Sequence, residues 1–260
     1  VLGVPHSTRM RAGMVEGKIA LVTGAAGALG REIVIALIGD GAHCIAFDND
    51  KAGLVALAQN APTGTVSTRL VDMSDAAAIE KACVATLSEH RRIDILINNV
   101  GVLSGNKLAA TSLAEFRNIM TMNLETAFVM SQCVIPGMAE HRHGRVVNVS
   151  SFSGRSGGLL AGTAYSVSKA AMIGLTFSLA REFAASGVTV NAIAPAFVDS
   201  PMMASVMTAP DARERLLKTI PVARMCAPEE VAHAIAFLAS DKSGFITGEV
   251  LDMNGGVQCD

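Results

Sequence analysis

The sequence predicts an α/β fold: a doubly wound, seven-stranded parallel sheet with helices on both faces, built as a single domain. Three observations predict it. Short, continuously apolar runs alternate with amphipathic stretches along nearly all of the 260 residues. Strands without polar alternation need cover on both faces, and the intervening stretches have the helical period that supplies it. No charged, Pro-rich or low-complexity linker divides the chain, and repeated strand–helix units joined by right-handed crossovers close a single sheet.

The strand runs, in order, are KIALVTG, HCIAFD, TVSTRLVD, IDILINN, GRVVNVSS, VTVNAIAP and GEVLDMNG, the first beginning near Ile19. Helical patterns fall between them: REIVIALIGDGA, DAAAIEKACVATLSEH, AEFRNIMTMNLETAFVMSQCVIPGM and SKAAMIGLTFSLAREFAASG. Residues 1–13 read as a flexible extension without the apolar core of a signal peptide, and residues 14–260 as the domain. One interval breaks the rhythm, DSPMMASVMTAPDARERLLKTIPVARM at residues 199–225. Insertions of that length in a compact domain are usually lids or binding loops.

Composition excludes several classes. Charged residues make up 17% and the net charge is −2, so no basic excess calls for nucleic acid. No apolar run approaches the ~20 residues that span a bilayer, and no membrane role is expected. Cys44, Cys83, Cys133, Cys226 and Cys259 are odd in number and form no C-x-x-C pair. A disulfide framework or zinc site is therefore not expected, and a reducing cytoplasm is. His141 and His143 are too isolated for metal ligands and are expected to face solvent, so no metal is assigned.

The first strand ends in TGAAGALG, Thr23 to Gly30, directly before a helical run. Glycines at a strand-to-helix turn let the backbone approach a pyrophosphate, whose charge then sits at the helix N-terminus. Asp48 ends the second strand 18 residues after Gly30, where a carboxylate bonds ribose hydroxyls and repels a 2′-phosphate. NAD is therefore expected over NADP. A purely structural role, capping the next helix, stays open for Asp48.

AYSVSK holds the chain's only tyrosine, Tyr165, four residues before Lys169. That spacing puts both on one helix face. A free phenol, with pKa near 10, is a poor base at neutral pH. An ammonium roughly 4–5 Å away at an effective dielectric of ~20 supplies the 3–4 kcal/mol that would lower it by 2–3 units.

With TGAAGALG, Asp72, the NNVG of Asn98 to Gly101, MTMNL with Asn123, VNVSS, YSVSK and NAIAPAFVDSP falling in order, the chain resembles the short-chain dehydrogenase/reductase family over about residues 17–256. Ala28, Val100 and Ala196 depart from its usual glycine, alanine and glycine, without loss of a reacting group. The resemblance implies a Rossmann-type fold and an NAD(P)-dependent enzyme acting on CH–OH groups. It implies a catalytic set of Asn123, Ser151, Tyr165 and Lys169. Ser151 is preferred to Ser150, though the 14-residue interval to Tyr165 leaves that choice open. It further implies that Gly24, Leu29 and Gly30 line the pyrophosphate and that Asp72 and Met73 flank adenine. Asn99 and Gly101 would run beneath the ribose, while Pro195, Val198 and Ser200 would hold the carboxamide, with Tyr165 and Lys169 also touching the cofactor. Asn123 would anchor a water passing protons to Lys169, against the plainer reading of a helix-packing amide.

The expected reaction moves a hydride between NAD(H) and a hydrophobic secondary alcohol or ketone, with Tyr165 as acid/base. Val102, Leu103, residues 152–160 and the insertion's Met202, Met203, Val206 and Met207 are candidate walls. One alternative is a 3-oxoacyl-(acyl-carrier-protein) reductase using NADPH, with Arg142 and Arg145 as its basic patch, although Ser186 stands where a second basic residue is expected. Another is a non-catalytic dinucleotide-binding scaffold. A homotetramer or homodimer is expected from apolar helix faces and the resemblance.

Overall fold

Seven apolar runs form seven parallel strands: β1 (Ile19–Thr23), β2 (His43–Asp48), β3 (Val66–Leu70), β4 (Ile95–Asn98), β5 (Gly144–Val149), β6 (Val188–Pro195) and β7 (Val250–Met253). In this computed structural model, which describes residues 13–259, they make one sheet in the order β3-β2-β1-β4-β5-β6-β7. Most of the expected extension, residues 1–12, lies outside the described residues. Every residue of β4, β5 and β6 is buried, which is why those runs lack polar alternation.

The helices are α1 (Ala28–Gly39), α2 (Lys51–Asn60), α3 (Ala76–His90), α4 (Leu113–Met120), α5 (Thr126–Glu140), α6 (Ser153–Ser156), α7 (Thr163–Phe183), α8 (Pro201–Ala204), α9 (Ala212–Leu217) and α10 (Pro228–Leu238). Strand side chains alternate between faces, and β1 shows the division. Its Ala20 and Val22 join a core with Ile33 and Leu37 of α1 and Val231 and Ile235 of α10. Its Leu21 enters the opposite core with Ile79 of α3 and Met130, Val134 and Met138 of α5. Truncating such a fully buried side chain to alanine typically costs about 2–5 kcal/mol.

Two local features differ from the sequence reading. Residues 114–138 do not form one unbroken helix: a π-helical turn at Thr121–Glu125 separates α4 from α5. The short helix α2 was not anticipated. Its apolar face is narrow, but Asp50 marks its start by accepting a hydrogen bond from the Gly53 amide at 3.0 Å. The 199–225 interval contains the short helices α8 and α9.

The strand order reverses direction between β1 and β4, and a crevice opens there above the carboxyl ends of the strands. The ends of β1, β2, β4, β5 and β6 all deliver residues to it.

Candidate active site

A cavity of about 540 Å³ fills this crevice and runs from the β1–α1 turn to the 199–225 interval. At one end, Gly24 takes a left-handed φ of +64° as the chain leaves β1. A Cβ on Gly30 would fall 2.0 Å from the Gly24 carbonyl oxygen, so α1 can start this close to the strand only with glycine there. The N-cap of α1, Gly27, offers no side-chain cap, and the turn lines the cavity. That leaves a helix N-terminus and its dipole for an anion. The cradle fits a dinucleotide pyrophosphate.

Asp48 ends β2 on the cavity wall, nearly buried. Its carboxylate accepts from the Ala26 amide and the Asp50 amide, both at 2.9 Å. The bland alternative for Asp48, capping the next helix, is taken by Asp50 instead. Asn49 and Asp50 line the same end, and neither was expected from the sequence to touch the cofactor.

Gly24, Leu29, Gly30, Asp48, Met73, Asn99, Gly101, Tyr165, Lys169, Pro195, Val198 and Ser200 all line the cavity. Asp72 is not brought to it. The Asp72 carboxylate accepts from the Ser74 amide and hydroxyl at 2.9 and 2.7 Å, and these bonds hold it below the usual carboxylate range. Asn99 braces the floor by donating to the carbonyls of Thr23 and Gly24 at 3.0 and 3.1 Å.

Tyr165 lies in the first turn of α7, 9% exposed, with Lys169 one turn further on. The Lys169 ammonium stands 5.8 Å from the centre of the phenol ring and donates to the Val149 carbonyl at 2.8 Å. Burial pushes the ammonium down to about 8. Burial raises the phenol above its ordinary value, and a hydrogen bond with Ser151 pulls the other way. The lowering expected from Lys169 does not emerge in the protein alone: burial outweighs the one opposing influence, the bond with Ser151.

The two serines separate by their partners. The Ser150 hydroxyl donates to the Lys169 backbone carbonyl at 2.8 Å, which ties β5 to α7. The Ser151 hydroxyl reaches the phenol of Tyr165 and accepts from the Ser153 amide at 3.1 Å.

Asn123 sits fully buried in the π-helical turn. Its carbonyl accepts from the Val102 amide at 2.7 Å, and its amide donates to the Val102 carbonyl and the Ser168 hydroxyl at 3.0 and 2.9 Å. A Cβ on Gly101 would stand 3.2 Å from the Lys169 nitrogen and 3.3 Å from the Asn123 carbonyl oxygen. The asparagine thus lies beside the lysine across Gly101, although it does not itself line the cavity.

Beyond Tyr165 the wall turns apolar, with Leu103, Phe152, Leu159, Leu160, Met202, Met203 and Val206. Met207 lies outside it. Arg145 does not form a surface patch: it is buried and donates to the Ser240 and Gly144 carbonyls at 3.2 and 2.9 Å. Exposed Arg142 remains, donating to the Ala185 carbonyl at 3.4 Å. His141 is exposed, but His143 is half-buried and meets Asp241 at 2.9 Å, so only the first faces solvent freely.

A doubly wound sheet with a glycine-rich first turn, and with a tyrosine, lysine and serine converging above its switch point, defines a nicotinamide-dinucleotide oxidoreductase acting on CH–OH or keto groups. Residues 24–258 match the family profile described as enoyl-(acyl carrier protein) reductase. The chain is 36% identical over 245 residues to the 3-oxoacyl-(acyl-carrier-protein) reductase FabG of Thermotoga maritima, covering 94% of this chain and 98% of that one. It is 37% identical over 243 residues to the FabG of Escherichia coli K12, covering 93% and 98%. A solved structure from Beutenbergia cavernae, provisionally described as an NAD(P) dependent gluconate 5-dehydrogenase with bound NADP, matches with a TM-score of 0.87. Its identity is 32%, over 94% of this chain and 97% of that one. The chain belongs to the short-chain dehydrogenase/reductase family. It is an NAD(P)-dependent oxidoreductase, and the reading as a non-catalytic scaffold falls. Its relatives favour the acyl-carrier-protein reductase alternative over the NAD-linked alcohol dehydrogenase that the sequence put first.

Proposed function

We propose that the protein reduces the 3-oxo group of an acyl thioester to the secondary alcohol. The observation that carries this reading is the apolar wall formed by Leu103, Leu159, Leu160, Met202, Met203 and Val206 immediately beyond Tyr165. An acyl chain laid along it would leave water while its keto group reached the phenol. The full-length likeness to 3-oxoacyl-(acyl-carrier-protein) reductases supports the same class.

The reduced dinucleotide, when bound, supplies the hydride. Ser151 holds the keto oxygen by hydrogen bond, and Tyr165 donates its phenolic proton as charge develops there. Burial keeps that phenol protonated at neutral pH, the form that reduction requires. The Lys169 ammonium stabilises the phenolate left behind. Asn123 fixes the Val102 loop beside that ammonium and is proposed to support proton return to it. Asp72, whose carboxylate is engaged by Ser74, is proposed to shape the turn that presents Met73 to the adenine.

NADH is the proposed reductant. Asp48 and Asp50 line the ribose end of the cavity, and a 2′-phosphate brought there would meet like charge. This same feature favours a second reading, NAD-linked oxidation of a hydrophobic secondary alcohol. Initial rates with short and long 3-oxoacyl thioesters and with a panel of secondary alcohols, each with both cofactors, test the choice. Thioester reduction at least tenfold more efficient than any alcohol oxidation supports the first reading, and the reverse overturns it.

A homodimer or homotetramer is proposed from the half-exposed Phe128 of α5 and Phe177 of α7. Sedimentation at micromolar concentration tests it, and a clean monomer refutes it. The cytoplasm is the proposed compartment because all five cysteines are free. No helix among the described residues is long and apolar enough to cross a membrane.

A further inference from the structure

We infer that Lys107 is a positioning residue for substrate, acting as a strap on the loop that carries Leu159 and Leu160. Its ammonium donates to the carbonyls of Gly158, Leu159 and Ala161 at 3.0, 3.4 and 2.7 Å. Three carbonyls converge on one point because the chain turns back on itself through Gly157 and Gly158, with φ of +77° and +81°. A side chain at Gly158 would collide with the Ser166 hydroxyl, 2.4 Å from its Cβ position, so this turn needs glycine. Carbonyl dipoles gathered in this way repel one another, and a cation among them relieves that repulsion.

The strap is anchored at its own end. The Lys107 carbonyl accepts from the Ala110 and Thr111 amides at 2.9 and 3.1 Å. Next to it, the Asn106 amide side chain donates to both carboxylate oxygens of Glu115 on α4, at 3.1 and 3.0 Å. The two loops also cross through their backbones. The Gly162 amide donates to the Ser104 carbonyl at 2.7 Å, and the Thr163 amide donates to the Asn106 carbonyl at 3.0 Å. A Cβ on Gly162 would lie 2.3 Å from that Asn106 oxygen, so the crossing leaves no room for a side chain.

What the strap holds is the apolar wall. Leu159 and Leu160 line the cavity yet are 62% and 38% exposed, surface that a bound acyl or alkyl chain would cover. An isolated surface lysine contributes little. Here it organises a turn of adjacent glycines whose other face is that wall. The backbone crossings hold the start of α7, and with it Tyr165. The Lys107 side chain holds only the loop, so its loss should weaken substrate binding more than chemistry.

The inference rests on the cavity's far wall taking an apolar substrate, and the test separates the two. Lys107→Met should raise KM for a long-chain 3-oxoacyl thioester about tenfold, the size of one lost charge-assisted contact, with little change for the shortest thioester or in kcat. Lys107→Arg should restore most of the loss. Independently of any substrate, amide hydrogen exchange in residues 157–162 should speed up in Lys107→Met and not in the strands. Lys107→Gln replaces the methionine variant if that one fails to fold. Unchanged exchange in that loop overturns the strap, as does an equal KM change for short and long chains. Faster exchange in a protein that turns over no thioester keeps the strap and discards the substrate reading instead.

Discussion

The Lys169 ammonium and the Tyr165 phenol share one face of α7, with the nitrogen 5.8 Å from the ring centre, while the nitrogen's hydrogen bond goes to the Val149 carbonyl. The lysine is thus held by β5 at a fixed distance from the ring. It is placed to respond to charge on the phenolate without binding the neutral phenol. Tyr165→Phe removes the proposed proton donor and leaves this framework in place. Turnover should fall by about 10²–10⁴, the usual worth of a general acid. Dinucleotide binding, followed by fluorescence, should stay within about twofold of the parent (well under 1 kcal/mol). Near-normal turnover would remove Tyr165 from the chemistry.

Lys169 also gives a pH signature in stability. Its ordinary value of 10.5 falls to about 8 in the fold because burial disfavours the charged form. Between those values the unfolded chain holds a proton that the folded chain has released, so stability rises with pH across that window. Below about 8 the full cost of the buried charge is present. Lys169→Met removes that cost. Its melting temperature relative to the parent should therefore be highest near neutrality and decline toward pH 10.5, measured without dinucleotide. A difference independent of pH would show that burial of the charge costs the fold nothing.

Asp48→Ser should shift the cofactor ratio. Removing a like charge from the proposed ribose end is expected to raise kcat/KM with NADPH relative to NADH by at least about tenfold. The same change deprives the Ala26 and Asp50 amides of their carboxylate acceptor, so it should destabilise the fold by about 1–3 kcal/mol. An unchanged ratio in a destabilised protein would leave Asp48 a purely structural role.

Asn123→Ala leaves the amide and carbonyl of Val102 without the partners the side chain gave them. A loss of about 2–4 kcal/mol is expected in denaturant unfolding, together with a fall in kcat larger than any change in KM. Full activity in a destabilised variant would confine Asn123 to packing.

Much of this molecule is readable locally. The runs of β4, β5 and β6 read as strands because both faces of a central strand are buried, whereas the edge strand β3, with no buried residue and Leu70 60% exposed, is a strand without that cover. The helical turn between Tyr165 and Lys169 follows from four-residue spacing. Gly24 and Gly30 are legible because a turn this tight excludes a Cβ. By contrast, Asp72 looks as suitable as Met73 in the sequence, yet its carboxylate is engaged by Ser74 and it does not line the crevice. Arg145 reads as surface charge until β5 carries it beneath Ser240. The π-helical turn around Asn123 interrupts a run whose apolar period continues unbroken. Nothing near Lys107 signals that it will meet Gly158 and Ala161, more than fifty residues away.

By itself, then, the sequence determined which segments form strands, where the glycine turn falls and that phenol and ammonium lie on one helix, since each depends on neighbours within a turn or a strand. Only the tertiary structure decided that Ser151 meets the phenol while Ser150 ties down α7, that Asn123 sits against Lys169 across Gly101, and that Lys107 straps the apolar wall. Those relations are set by how distant loops cross above the strand ends, and periodicity carries no record of where two loops will meet.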